Sequence, residues 1–173
     1  RDGSRADVEM LRPAAWLAAR SVKVGGRVDI EVPECGIEGL AQVLAVEPCP
    51  PIASGEGRVV TATFHHQSAQ TYDLRVEGSE ATIGVTGNHP IWGEEAAEFV
   101  RADSLRPGRH VRTQAGLRRV ASLAPRGPPE RVYNLEVQTG HVYRVGQDGL
   151  LVHNACAEPQ VGSYTNTHAS GKT

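Results

Sequence analysis

Aromatic side chains are scarce in this chain, with two Trp, four Tyr and two Phe spread over 173 residues. A core made from it must rest on Val, Ala and Leu rather than on large rings. Cysteine is thin as well. Cys35, Cys49 and Cys156 form no CxxC pair and are odd in number, so neither a zinc site nor a complete disulfide framework is implied. Small buried hydrophobes are the expectation for Cys35 and Cys49. No apolar run approaches the ~20 residues of a membrane span, and no signal peptide is recognisable. Charge of one sign is lacking too: a formal net charge of −2 offers no case for nucleic-acid binding or membrane attraction. Neither a heptad pattern nor a tandem repeat is visible.

What is present is turn chemistry between β-prone runs. Nineteen Gly and eleven Pro favour many turns, and 39% hydrophobic with 22% charged content fits one ordinary globular domain with a real core. The chain begins at Arg1 rather than Met and stops at Thr173 in a polar segment, as expected of a piece of something longer. Strands are expected at residues 8–11, 40–46, 59–64, 71–76, 81–85, 99–100, 110–113 and 117–123, with a short helix at 13–19 led by Pro13. A hairpin turning at Gly25-Gly26 is expected within 22–31, and a Pro/Gly linker over 125–130. The reading is an all-β domain.

The most informative stretch runs from Arg131 to Cys156. Residues 132–137 alternate apolar and polar side chains, Thr139-Gly140 breaks the pattern, and residues 141–145 resume it. Gly146-Gln147-Asp148-Gly149 is a turn, and Leu150-Leu151-Val152 is an apolar run that delivers His153-Asn154 to a fixed place. A rigidly held Asn can bring its side-chain nitrogen onto its own backbone carbonyl, close a succinimide and expel the next amine. That would cut the chain between Asn154 and Ala155. The leaving nitrogen must gain a proton and the attacking nitrogen must lose one, duties that suit histidine near neutrality. Upstream, Thr86-Gly87-Asn88-His89-Pro90 places a hydroxyl and an imidazole three residues apart on a turn that comes after an apolar strand.

A His-Asn pair alone is weak evidence: seven His and four Asn in this chain give about one chance match in six. Its company is specific. Residues 132–137, His141-Val142-Tyr143, Val152-His153-Asn154 and the upstream Thr86-x-x-His89 together resemble Hint domains, the self-processing domains of hedgehog proteins and inteins. The resemblance is closest to the pretoxin Hint domains of bacterial polymorphic toxins and chiefly covers residues 57–156. It implies a horseshoe of short strands with two pseudo-twofold halves. The likeness of Tyr72-Asp73-Leu74-Arg75-Val76 to Tyr133-Asn134-Leu135-Glu136-Val137 fits such halves. It assigns Asn154, His153 and His141 to the C-terminal cut, and Thr86 and His89 to polarising the peptide bond at an N-terminal nucleophile. No cofactor and no metal is implied. Where inteins commonly carry Asp in the first strand of the motif, this chain has Asn134.

Two departures from a splicing intein set the expected outcome. The family's first residue is a Cys or Ser nucleophile, whereas this piece starts at Arg1. The residue after Asn154 is Ala155, without a nucleophilic side chain, and Cys156 stands one place too late. Release of the downstream chain is expected, not ligation. The domains are read as 1–154, a self-processing unit without its N-terminal nucleophile segment, and 155–173, the start of a C-terminal effector or toxin. The implied partners are the covalently linked upstream protein and that effector, within a secreted or cell-surface bacterial protein. No nucleic acid is expected for the processing domain. A rival reading is an inert β connector that presents the C-terminal domain. A histidine-based metal hydrolase is a third, weakened because no two of His65, His89, His110 and His141 show a helical ligand spacing. His65, His66, His110 and His168 match no motif and are expected to be surface or satisfied residues. Gly171-Lys172-Thr173 is no phosphate loop, since Asn166 stands where its first Gly belongs.

Overall fold

The runs of Val, Thr, Ile and Tyr between turn residues form strands, as their alternation requires. The computed structural model describes residues 6–32 and 37–154. Within them lie β1 (Ala6–Met10), α1 (Ala14–Ala19), β2 (Arg27–Val32), β3 (Ile37–Gln42), β4 (Val60–Val76) and β5 (Ile83–Thr86). Next along the chain come β6 (Pro90–Gly93), β7 (Glu98–Arg101), a 3₁₀ turn at Ala102–Ser104, β8 (His110–Thr113), β9 (Gly116–Val137), β10 (Val142–Val145) and β11 (Leu150–His153). One sheet runs β1-β4-β9-β8-β6-β11-β10, with β5 added on β4 and β7 on β6; β2 and β3 form a separate ladder. Among the described residues the fold is all-β and antiparallel, with one six-residue α-helix.

The frame is the β4–β9 ribbon, 17 residues against 22. The strands expected at 59–64 and 71–76 are one continuous strand. So are 117–123, the expected linker 125–130, and 132–137. Pro128 and Pro129 fall where the ribbon changes register between Ala69 and Thr71, so the ladder needs no N–H from them, while Pro125 keeps its place opposite Tyr72. The two similar pentapeptides sit at opposite ends of this ribbon, Tyr72 opposite Pro125 and Tyr133 opposite His65. Each is the C-terminal end of its long strand, which is the placement a pseudo-twofold requires.

Two other expectations change. Gly25-Gly26 is not a hairpin tip; it leads into β2, which pairs with β3, so the strand expected at 40–46 is Ile37–Gln42. Cys49 is exposed rather than buried, because residues 43–59 form no strand and Pro48, Pro50 and Pro51 hold it in an open loop. Cys35, Cys156 and His168 lie outside the described residues, as does the segment 155–173 expected to start the cargo.

Side chains of the ribbon bury into two apolar clusters. One gathers Leu74, Val76, Val85, Ile91, Val111, Val120, Leu150 and Val152; the other gathers Val28, Ile30, Val43, Ala62 and Phe64, backed by Val8, Met10 and Trp16. Arg12 ties the N-terminal segment to β9 through a 2.9 Å ion pair with Glu136.

Candidate functional site

The β10–β11 hairpin carries the site to the first cluster. Its turn needs Gly149, whose φ is +60° and where a Cβ would stand 2.8 Å from the Gln114 Cβ. On β11 the even positions face inward: Leu150, Val152 and Asn154 are each 0% exposed, while Leu151 and His153 are half-buried on the other face. Asn154 thus enters the core by the same alternation that buries the two aliphatic residues before it.

The register sets Val142 opposite His153 and leaves His141 to meet Asn154. The Asn154 N–H donates to the His141 carbonyl at 2.9 Å. The Asn154 Nδ2 lies 3.4 Å from His141 Nδ1. A carboxamide nitrogen has only protons to offer, so a hydrogen bond here uses the lone pair of Nδ1, as in the tautomer that carries its proton on Nε2. The turn that presents His141 is unusual: Thr139, Gly140 and His141 have φ of 55°, 94° and 51°. Two non-glycine residues in the left-handed region cost backbone strain that the surrounding hairpin must offset.

The upstream motif arrives beside this pair. Thr86 ends β5, and the turn after it is closed by the His89 N–H to the Thr86 carbonyl at 3.0 Å. Ala102 N–H donates to the His89 carbonyl and Asp103 N–H to that of Gly87, both at 2.9 Å. The turn packs tightly at Gly87, where a Cβ would stand 2.8 Å from the Asp103 Oδ2 and 3.1 Å from the Tyr72 ring. The next strand, β6, places Ile91 opposite Val152 of β11, and this brings the His89 ring close to His153. Burial first, and the neighbouring His153 second, lower the His89 pKa from 6.5 to about 4. The ring of His153 lies 5.0 Å from Phe99 and 6.0 Å from His141. His89, His153, His141 and Asn154 therefore form one contiguous group. Thr86 stands at its margin, and Ala155 lies outside the described residues.

Two residues to which the sequence alone gives no role, Asn134 and Tyr143, belong to this group. Asn134 on β9 is 8% exposed and its Nδ2 donates to the backbone carbonyl of Asn154 at 3.3 Å. Its Oδ1 accepts from Tyr143 Oη at 3.0 Å and from the Leu135 N–H at 2.9 Å. The signal for Asn134 is the motif position itself, a polar place in the alternation of 132–137 that the fold nonetheless buries. The other histidines lie apart: His110 pairs with Glu95 at 2.7 Å, and the His65 ring packs on Tyr133. Among the described residues, no three His, Cys, Asp or Glu converge as a metal-binding group, and no helix is long and apolar enough to cross a membrane.

No curated protein matches the chain. Among solved structures, a bacterial intein-like domain from Clostridium thermocellum is similar at 22% identity and a TM-score of 0.50, covering 87% of this chain and 96% of that one. The transcription factor IIB Mvu mini-intein (20% identity, TM-score 0.49) covers 54% of this chain and 62% of its own. For the DnaB intein from Synechocystis (21% identity, TM-score 0.47) the shares are 54% and 65%. This chain spans less than two thirds of those two inteins. The first likeness shows the intein-like fold. Residues 37–155, which run from β3 through the histidine group to the Asn154 junction, match the description "Pretoxin HINT domain", and the chain belongs to that family.

Proposed function

We propose that this domain cuts its own chain after Asn154 and so releases the segment downstream of the cut. The observation that carries the proposal is the buried Asn154 carboxamide, its nitrogen 3.4 Å from the His141 Nδ1. His141 removes a proton from Nδ2 as that nitrogen bonds to the Asn154 carbonyl carbon. The carbonyl electrons move to oxygen and return to expel the Ala155 nitrogen. The proton taken from Nδ2 ends on that nitrogen, passed on by His141 or His153. The products are a C-terminal succinimide and a free amine, with no net proton change and no co-reactant. Full burial favours the step, because fixed dipoles replace mobile water around the reacting amide.

The flanks give the reaction its outcome. Ala155 offers no nucleophile for transesterification, so the chain is released and not rejoined. Thr86 and His89 serve the peptide bond at an N-terminal junction in this reading, with His89 neutral near pH 7. Residues 155–173 begin the released effector or toxin, and the domain is one part of a larger secreted or surface bacterial protein.

The test is intact mass over time for the chain fused to a small C-terminal reporter, wild type beside Asn154→Ala. A fragment ending at Asn154, one water lighter than the free acid, is expected in the wild type alone. A wild-type chain that stays whole across mild pH and with added thiol would leave a β connector that presents its neighbour without processing.

A further inference from the structure

We infer that Asn134 is a catalytic residue of this cut, a neutral oxyanion donor that polarises the Asn154 carbonyl. This rests on the proposed cleavage and adds the group that receives its developing charge. The orientation of the side chain is forced by its neighbours. The Leu135 N–H can only donate, and it reaches the Asn134 Oδ1 at 2.9 Å. The carbonyl oxygen of Asn154 can only accept, and it lies 3.3 Å from the other end of the same carboxamide. The two backbone groups therefore leave one way for the Asn134 amide to lie, with its NH₂ on the scissile carbonyl. Tyr143 Oη, 3.0 Å from Oδ1, holds it there as a positioning residue.

The chemistry favours an amide over a carboxylate at this position. As Asn154 Nδ2 closes on its carbonyl carbon, negative charge grows on an oxygen that already faces a donor. A donor contact that shortens as charge develops acts more on the transition state than on the ground state. An ionised Asp at 134 would set negative oxygen against negative oxygen. An amide has no such charge, and it also cannot exchange protons. It therefore leaves acid–base duty to the histidines and supplies electrostatic stabilisation alone. The site is buried, Asn134 at 8% and Asn154 at 0% exposed, so water does not replace the lost donor.

Two readouts on the full chain with its reporter test this. Cleavage is tracked by intact mass for wild type, Asn134→Ala, Asn134→Asp and Tyr143→Phe. Separately, carbonyl-¹³C Asn combined with ¹⁵N-Ala isolates the one Asn–Ala junction of the chain, Asn154-Ala155, and reports hydrogen bonding at its carbonyl. Asn134→Ala is expected to slow cleavage roughly tenfold to a hundredfold and to move the junction carbonyl upfield. Asn134→Asp should be slower than wild type at neutral pH. Tyr143→Phe should show a smaller loss in the same direction. If Asn134→Ala does not fold, Tyr143→Phe carries the test, and wild-type values in both readouts then overturn the assignment. A folded Asn134→Ala chain that cleaves at the wild-type rate overturns it while self-cleavage stands. A wild-type chain that never cleaves overturns both.

Discussion

The same two long strands, β4 and β9, feed both apolar clusters, yet the two ends of the ribbon differ in how completely they close. In the cluster that β11 enters, Leu74, Ile91, Val111, Leu150 and Val152 are all 0% exposed, and Asn154, also 0% exposed, follows directly after β11. At the other end, Ala62 and Phe64 are buried, but the surrounding segment leaves Val24, Leu40, Leu44 and Ile52 between 55% and 72% exposed. The family match starts at residue 37, so β1, α1 and β2 lie beyond it. The contrast has a physical meaning. A self-cutting site must hold an amide, a carbonyl and an imidazole at hydrogen-bond spacing, and only a closed cluster fixes side chains that tightly. The exposed segment around residues 24–52 has no such demand, and the ribbon beside it meets the site only through Asn134, which stands opposite Phe64 in the register.

If that division holds, perturbations at the two ends should separate rate from stability. The largest expected effect is His141→Asn. Asn tolerates the left-handed backbone at this position, so the turn survives while the base is lost. Cleavage should slow by roughly 10²–10⁴-fold, by intact mass, with the circular dichroism spectrum unchanged. Next comes a matched pair of core truncations. Ile91→Ala and Ile30→Ala remove the same atoms from the two clusters. Each should cost about 2–5 kcal/mol in urea unfolding, with Ile91, at 0% against 7% exposed, the more costly. Only Ile91→Ala, which packs beneath the β6–β11 pairing, should also slow cleavage well below its melting point. Equal slowing by both would erase the distinction between the ends.

The smallest effect is one of pH. The unfolded chain binds a proton on His89 near its ordinary 6.5, whereas the folded chain does so only near 4. Between these values protons favour the unfolded state, so stability should fall as pH drops across that window, by roughly 3 kcal/mol in total. Below about 4 this contribution levels off. Denaturant titrations at several pH values should show the slope, and His89→Gln should flatten it.

Much of this is legible without coordinates. The alternation at 132–137, the Gly-rich turn at 146–149 and the apolar run before His153 are local patterns, and each becomes the element it implies. Thr86, His89, His141, His153 and Asn154 stand out by motif spacing, and four of the five converge. The continuity of β4 and β9 is not legible. Prolines at 125, 128 and 129 read as a break, and only pairing to β4, with a register shift at 128 and 129, lets a strand run through them.

The same division runs through the site. Sequence alone determined the groups on offer: an Asn before a residue with no nucleophile, histidines spaced around it, and turns to present them. It did so because residue type and short-range periodicity are local properties. Tertiary structure decided which atoms meet. That His141 Nδ1 faces the Asn154 amide depends on the β10–β11 register and on the left-handed turn before it. That Asn134 lies under the Asn154 carbonyl depends on β9 reaching the end of that hairpin, twenty residues away in the chain. Contacts at that separation come from the packing of three strands on one core, and no local pattern encodes them.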